Sequence, residues 1–107
     1  MAASYLKDAG YQILARNYRV ASGEIDLIVS KDGYLIFVEV KYRSNSRYGS
    51  PEAAGTPVKQ RQIRVALYYM KRYGYDPYNT PVRFDVVAVA ENEIHHMKDA
   101  FPYQGYY

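Results

Sequence analysis

The sequence predicts an α/β domain, in which a central mixed sheet of four to five strands is flanked by helices in the order αβββαββ. Three observations favour this class. The dipeptide Asp32-Gly33 separates two apolar segments that alternate with period two, a strong signal for a β-hairpin. Thr56 and Pro57 suit the N-cap and first position of a helix, and the residues after them have helical spacing. The later segment VRFDVVAV is apolar enough to lie inside a sheet.

The first part of the chain predicts a short helix and a strand. A length of 107 residues fits one domain with one modest core, so residues 1–107 are interpreted as a single unit. The helix covers residues 2–9 and ends at Gly10, and the strand covers residues 11–20. Residues 21–23 form the turn into the hairpin. The buried positions expected in the strand are Ile13, Leu14 and Tyr18.

The turn sets the register of the hairpin. Counting outwards from Asp32 and Gly33 gives the pairs Lys31 with Tyr34, Val29 with Ile36, Ile28 with Phe37, Asp26 with Glu39, and Glu24 with Lys41. Side chains alternate between the two faces of a strand. One face is therefore expected to carry charged residues, namely Glu24, Asp26, Glu39 and Lys41. The opposite face is expected to carry aliphatic residues, namely Ile25, Leu27, Val29, Ile36, Val38 and Val40.

This register places two carboxylates opposite each other, with β-carbons about 4.5–5.5 Å apart. Like charges so close raise each other's pKa unless a cation lies between them. Mg²⁺ prefers a few carboxylate oxygens together with oxygens from water and phosphate. Asp26 and Glu39 could supply the carboxylate oxygens. The alternative is a surface hairpin in which Lys41 forms ion pairs with Glu24 and Glu39. The pattern leaves both interpretations open, although Asp26 and Glu39 lie in otherwise apolar strands.

The second part of the chain predicts a loop, a long helix and two strands. Residues 44–55 are rich in Ser, Gly and Pro and form either a connector or a loop that closes over a substrate. The helix runs from Thr56 to about Tyr73 and ends at Gly74. Lys59 lies at the edge of its core-facing side, so it extends either towards the carboxylates or along the core edge to solvent. The expected buried stripe is Ile63, Ala66, Leu67 and Met70.

Residues 81–90 predict a strand that contains a third acid, Asp85, interpreted as structural and paired with Arg83. A short strand over residues 94–98 follows. His95 and His96 are adjacent, so in a strand they point to opposite faces and do not bind one ion together. The aromatic tail over residues 101–107 is expected to pack loosely.

Composition excludes several classes of protein. The chain has no cysteine, which rules out disulfides, thiolate metal sites and cysteine nucleophiles. It has no membrane-length apolar stretch and no apolar leader, so a cytoplasmic protein without membrane contact is expected. The net charge of +3 is compatible with a polyanionic partner. The fourteen tyrosines suit either base stacking or the rim of a small core.

Five segments, in their order and spacing, resemble the YraN-like family of small bacterial proteins, which is related to archaeal Holliday junction resolvases. They are GYQILARNYR, GEIDLIV, FVEVKYR, PVKQRQIRVALYYM and VRFDVVAV. The resemblance covers residues 5–101. It implies the restriction-endonuclease-like, or PD-(D/E)XK, nuclease fold.

The resemblance also implies roles for particular residues. Asp26 and Glu39 match acidic metal ligands, the main-chain carbonyl of Val40 matches a further ligand, and Lys41 matches the catalytic lysine. Residues that match supporting positions are Glu24, Lys59 and Gln60. Basic residues expected to hold the nucleic acid are Arg43, Arg47, Arg61 and Arg64. Relatives usually carry a further Glu on the first helix, at a position that would fall before Met1 here.

The activity implied is Mg²⁺-dependent or Mn²⁺-dependent hydrolysis of phosphodiester bonds in DNA. Branched DNA as substrate follows from the likeness to resolvases alone, as does a two-fold homodimer. Two other classes stay open: a non-catalytic nucleic-acid-binding module on a nuclease fold, and a protein-interaction scaffold whose acidic hairpin is structural.

Overall fold

The structure, a computed structural model, describes residues 1–42 and 55–101, with side chains described except at residues 55–59. Within these ranges the elements are α1 (Ala2–Asp8), β1 (Gln12–Val20), β2 (Gly23–Lys31), β3 (Tyr34–Tyr42), α2 (Gly55–Arg72), β4 (Val82–Ala90) and β5 (Glu93–Phe101). The sheet order is β1-β2-β3-β4-β5. Only β3 and β4 run parallel among these neighbours. The prediction of an α/β fold with a mixed sheet of four to five strands is confirmed, and the described residues contain five strands and two helices.

The hairpin of β2 and β3 has the predicted turn, and its predicted register is confirmed from Lys31–Tyr34 to Leu27–Val38; the predicted pairs Asp26–Glu39 and Glu24–Lys41 are not part of the ladder. Lys31 lies opposite Tyr34 and Ile28 opposite Phe37. The two turn residues, Asp32 and Gly33, both have positive φ angles, 53° and 84°. Those angles suit a two-residue turn whose twist matches the strands, which is why the Asp-Gly signal fixes the pairing here.

Successive residues of β3 alternate between two core clusters, one on each face of the sheet. On one face Phe37 packs with Ile28, Phe84 and the α2 residues Val65 and Ala66. On the other face the cluster contains Ile36, Val38, Leu27 and Val29 together with Ala2 and Leu6 of α1. The Phe37 and Phe84 rings stack with centroids 5.5 Å apart. The sheet is therefore buried on both faces along its middle strands.

The prediction that Ile25 shares a face with Leu27 and Val29 is wrong. Ile25 is fully buried in the cluster of α2, together with Ile28, whereas Leu27 and Val29 lie in the cluster of α1. Residues 25 and 28 would point to opposite faces of a regular strand. The side chains therefore fail to alternate between the two faces at one residue between Ile25 and Ile28. The pairing of β2 with β3 ends in the same place, at Leu27 and Val38. The strand is irregular at Asp26.

The predicted buried stripe of α2 is partly wrong. Ala66 and Met70 are buried, but the other central positions are Val65 and Tyr69. Ile63 and Leu67 are only partly buried. Tyr69 takes the place expected for an aliphatic residue because its ring packs edge-on against Tyr18 of β1, with centroids 5.1 Å apart. The helix is therefore rotated about its axis relative to the prediction.

The interpretation of Asp85 as a structural acid paired with Arg83 is confirmed. Its carboxylate is 2% exposed and accepts hydrogen bonds from Arg83 Nε at 2.8 Å and Arg83 Nη2 at 2.9 Å. His96 Nε2 lies 2.7 Å from the same carboxylate, and the Asp99 N–H donates to it at 2.9 Å. Tyr5 of α1 bonds His96 Nδ1 at 3.0 Å. This network ties α1 to β4 and β5.

The last strand is longer than predicted because Phe101 is buried. Its ring stacks on Phe84 with centroids 4.8 Å apart. The expected loose packing is therefore wrong for Phe101, and residues 102–107 lie outside the described residues. The predicted loop lies outside them too, except for Gly55, which begins α2. In the described ranges no helix is long and apolar enough to cross a membrane.

Candidate metal and nucleic-acid site

The carboxylate of Asp26 reaches across to the neighbouring strand. Asp26 Oδ2 accepts a hydrogen bond from the Val40 N–H at 2.8 Å, at the level where the ladder between β2 and β3 has ended. Burial raises the pKa of Asp26, and the charges of Glu39 and Glu24 add to the rise. The Val40 N–H and the charge of Lys41 act in the opposite direction but leave the pKa above its usual value. Asp26 is thus an acid whose charged form is disfavoured mainly by burial and further by two neighbouring acids.

Glu39 lies near the end of β3 and has a partner at each oxygen. Lys41 Nζ lies 2.9 Å from Oε2, and Gln62 Nε2 of α2 donates to Oε1 at 3.0 Å. The Glu39 and Lys41 side chains are 20% and 26% exposed. They are close enough to solvent to meet a substrate, and Gln62 fixes the orientation of the carboxylate.

The two carboxylates approach the end of β3 from different sides. Glu39 contacts α2, whereas Asp26 lines a cavity of about 430 Å³ together with Ala2 of α1 and Val40. They remain close enough for the charge of Glu39 to raise the pKa of Asp26. The predicted single charged face is therefore wrong in its regular form, because the break at Asp26 redirects that side chain. Glu24 is near enough for its charge to act on Asp26, but it pairs with Arg19 at 3.3 Å and not with Lys41.

The donor set fits a divalent cation of the magnesium type. The described residues contain no group of three or more His, Cys, Asp or Glu side chains arranged to hold an ion. Mg²⁺ uses one or two protein carboxylates and takes its other oxygens from water and substrate phosphates. Asp26 and Glu39 are the described carboxylates that could supply those two, and a cation beside Asp26 would favour its charged form.

Comparison with known proteins decides the family of the chain. Residues 1–89 match the model described as "Uncharacterised protein family UPF0102". The chain belongs to the UPF0102 family. The YraN-like resemblance of the five segments is confirmed to that extent.

UPF0102 relatives match along most of their length. The UPF0102 protein of Lachnoclostridium phytofermentans is 51% identical over 104 residues, which cover 97% of this chain and 88% of the relative. The one from Symbiobacterium thermophilum is 53% identical over 89 residues, covering 82% of this chain and 74% of that protein.

A solved structure, "The structure of Pyrococcus Furiosus SfsA in complex with Ca2+", matches with a TM-score of 0.38 and 17% identity. The match covers 91% of this chain and 58% of the SfsA chain. That similarity is too low to carry an argument.

The predicted supporting and binding residues of this UPF0102 chain lie in different places. Gln60 is exposed on α2. The Cγ and Cδ atoms of Arg61 lie over Gly23. A β-carbon added at Gly23 would lie 3.0 Å from each of these atoms. Arg64 is exposed on the same helix. The side chains of Lys59, Arg43 and Arg47 lie outside the described residues.

Gln62 is the site residue that the sequence prediction missed. It precedes Val65 and Ala66 by one helical turn, so it lies on the stripe of α2 that faces the sheet. The predicted stripe placed Lys59 at its edge, and the family resemblance implied Lys59 and Gln60 as supporting residues, but neither implied Gln62. The signal was present in the spacing, but only for a helix whose buried face is centred on Val65 and Tyr69.

Proposed function

We propose that this chain is a metal-dependent endonuclease with the restriction-endonuclease-like, PD-(D/E)XK fold, and that it hydrolyses phosphodiester bonds in DNA, including branched, Holliday-junction-like DNA. The observation that carries the proposal is that Asp26 accepts a hydrogen bond from the main chain of Val40, the residue between the paired side chains of Glu39 and Lys41. An acid with an elevated pKa beside a second acid and an amine suits cation binding and proton transfer. The order of the elements supports the fold.

Each residue has a distinct part in the proposed reaction. Asp26 and Glu39 would hold Mg²⁺ or Mn²⁺, with the Val40 carbonyl as a further ligand. When bound, such an ion supplies Lewis-acid stabilisation of the charge that develops on the phosphate. Lys41 orients the attacking water or stabilises the negative charge by a hydrogen bond from its ammonium group. Gln62 keeps the Glu39 carboxylate in one orientation.

Exposed basic residues of α2 would hold the nucleic acid through its phosphates. Arg61 and Arg64 are exposed on this helix, and Lys71 and Arg72 follow in its last turn. Contacts with phosphates do not depend on the base sequence of the nucleic acid, and the affinity they provide falls as the salt concentration rises. The proposal includes a homodimer, which would present two cleavage sites to a branched substrate.

A second candidate is a nucleic-acid-binding module that does not cut. The observation in its favour is that both oxygens of Glu39 already accept bonds, from Gln62 and Lys41. A carboxylate satisfied in this way has less to gain from a cation. In this case the basic face of α2 would bind nucleic acid in the presence or absence of metal.

Cleavage of a defined DNA panel tests both candidates. The substrates are a four-way junction, a linear duplex and a single strand, each with Mg²⁺, with Mn²⁺ or with EDTA. We expect metal-dependent cutting by the wild type and losses of at least 100-fold in Asp26→Asn and Glu39→Gln. Glu93→Gln, which removes an exposed carboxylate on β5, serves as the matched control and should cut normally. Binding without cutting under all conditions would select the module and refute the enzyme.

A further inference from the structure

The cavity beside Asp26 exists because two neighbouring strands are irregular at the same level. In β1, Asn17 has a φ of 51°, a left-handed conformation that is rare for a residue other than glycine. Its neighbours Arg16 and Tyr18 pair with Leu27 and Ile25, so Asn17 lies at the level of Asp26. Strained residues and bulges of this kind are concentrated at functional sites.

These irregularities bring adjacent residues of each strand to one cavity. Arg16 and Asn17 both line it, as do Asp26 and Leu27, although adjacent residues of a regular strand point to opposite faces. The cavity measures about 430 Å³, which is within the usual range for small-ligand sites. Because Asn17 is left-handed, Arg16 and Asn17 both line the cavity. Its wall therefore carries a guanidinium and an amide, whereas a regular strand would place only one of these two residues there.

Arg16 supplies an uncommitted positive charge to this cavity. Its main chain pairs with Leu27, but within residues 1–42 and 60–101 its guanidinium has no hydrogen bond or ion pair, even though Asp26 lines the same cavity. Arg19, on the same strand, is paired with Glu24 at 3.3 Å. A guanidinium whose donors have no partner among the described side chains is well suited to a phosphate, which it can bind with two parallel hydrogen bonds.

The remaining walls suit the other parts of a nucleotide. Tyr42 lines the cavity and is 67% exposed, so its aromatic ring is accessible for stacking. Leu27 and Val40 provide apolar surface beneath it. A phosphate ion alone would leave this apolar and aromatic surface uncovered, whereas a base would cover it. The Asn17 amide offers both a donor and an acceptor to a base edge.

We propose that this cavity binds one unpaired nucleotide of the substrate, with its phosphate on Arg16 and its base on Tyr42. The proposal rests on the proposed nuclease function, since Asp26 belongs to both sites. It narrows the substrate class to nucleic acid that is single-stranded or has an unpaired nucleotide beside the bond to be cut. A base held inside a continuous duplex could not reach Tyr42 without leaving the stack.

Binding measured without metal tests this site separately from cleavage. Three fluorescein-labelled DNA probes are titrated in EDTA and followed by anisotropy: a single strand, a blunt duplex, and the same duplex with one unpaired 2-aminopurine. Any affinity tag is placed at the C-terminal end, because Met1 also lines the cavity. We expect the unpaired probe to bind at least 10-fold more tightly than the blunt duplex. The 2-aminopurine fluorescence should be quenched as its base stacks on Tyr42.

Paired variants separate the cavity from general basic charge. Arg16→Ala and Tyr42→Ala should abolish the preference for the unpaired probe, and Tyr42→Phe should retain it. Arg19→Ala removes the same charge from the same strand and should weaken all three probes equally. Tyr78→Ala removes an exposed tyrosine near the opposite end of the sheet and should leave the preference intact. Circular dichroism verifies that each variant is folded.

The outcomes distinguish the two proposals. Equal affinity for the three probes, or Arg16→Ala behaving like Arg19→Ala, would overturn the nucleotide site even in a chain that cuts DNA. A preference that depends on Arg16 and Tyr42 in a chain that never cuts would support the site and refute the enzyme. No binding to any probe at low salt would overturn both.

Discussion

The carboxylate of Asp85 shows how a charge is accommodated inside this sheet. It is surrounded by a guanidinium, an imidazole and a main-chain N–H, from Arg83, His96 and Asp99. A buried charge that is fully bonded is tolerated, but removal of one partner leaves the others without compensation. Asp85 therefore stabilises the fold mainly because its carboxylate bonds polar groups of Arg83, His96 and Asp99 inside the fold.

Asp85→Ala is expected to lower the free energy of unfolding by about 3–5 kcal/mol, since it removes the buried carboxylate that balances the charge of Arg83 and bonds His96. Urea denaturation followed by circular dichroism measures this loss. Arg19→Ala breaks the exposed ion pair with Glu24 and should change stability by about 1 kcal/mol or less. Similar losses in the two variants would show that the buried network has no special importance.

Asp85 also makes the free energy of unfolding depend on pH. Burial alone would raise the pKa of Asp85, but the hydrogen bonds from His96, Arg83 and the Asp99 N–H outweigh it and lower the pKa. A lowered pKa in the folded state stabilises the fold above the unfolded value of about 3.9, and this contribution is lost as the pH falls towards the folded pKa. Urea denaturation at pH 5 and pH 3 should show a smaller acid-induced loss in Asp85→Asn than in the wild type.

Gln62 and Gln60 differ in their relation to the site although they are two residues apart. Gln62 bonds Glu39, whereas Gln60 is exposed. Under the proposed function, Gln62→Ala should lower kcat by about 10- to 100-fold with an unchanged melting temperature, since Glu39 loses its orienting donor. Gln60→Ala is the matched control and should cut at the wild-type rate. Steady-state cleavage kinetics measure both, and equal rates in the two variants would argue against a role for the Gln62 bond.

At the scale of single elements, α2 is attached by one narrow stripe. Met70 is 1% exposed in the core, whereas Leu67 is only partly buried. Met70→Ala should lower the free energy of unfolding by about 2–5 kcal/mol, and Leu67→Ala clearly less. Both changes leave helix propensity nearly the same, so urea denaturation compares burial alone. Equally large losses in the two variants would support the stripe predicted from the sequence, which contained both residues.

The elements that local signals specify were predicted well. The Asp32-Gly33 turn fixed the hairpin pairing from two residues, and Gly10 and Gly74 ended the two helices with positive φ angles. What failed depended on distant contacts. The rotation of α2 about its axis depends on the contact between the Tyr69 ring and Tyr18 of β1. The spacing of apolar residues within the helix does not reveal such a contact. The redirection of Asp26 depends on the Val40 N–H across the strand gap, so the acids were predicted but not their two directions of approach.

At the scale of the whole molecule, charge is the property that the proposed function uses. The net charge is only +3, so attraction to nucleic acid depends on where the basic residues lie. Exposed Arg61 and Arg64 share one helix, whereas Lys7 and Lys98 lie on other elements. The double variant Arg61→Ala/Arg64→Ala should reduce the slope of log K against log salt by roughly 2 for a DNA duplex.

The control for this prediction is Lys7→Ala/Lys98→Ala, which removes the same charge from elsewhere. Its slope should stay near that of the wild type. Fluorescence anisotropy between 50 mM and 200 mM salt, the range in which phosphate contacts have a large effect, measures the slopes. Equal reductions in the two double variants would indicate binding through overall charge and not through α2.

Neither outer strand of the sheet offers a long regular row of hydrogen-bonding groups. In β1 the pairing shifts between Ile13 and Ala15, and Asn17 turns the backbone further. In β5 the pairing shifts opposite Phe84 and Val86, and Asp99 has a φ of 55°. Straight open edges invite edge-to-edge association into fibrils, and interruptions of this kind deny another chain a template. A small domain with five strands and both edges kinked in this way is protected against aggregation by its own backbone.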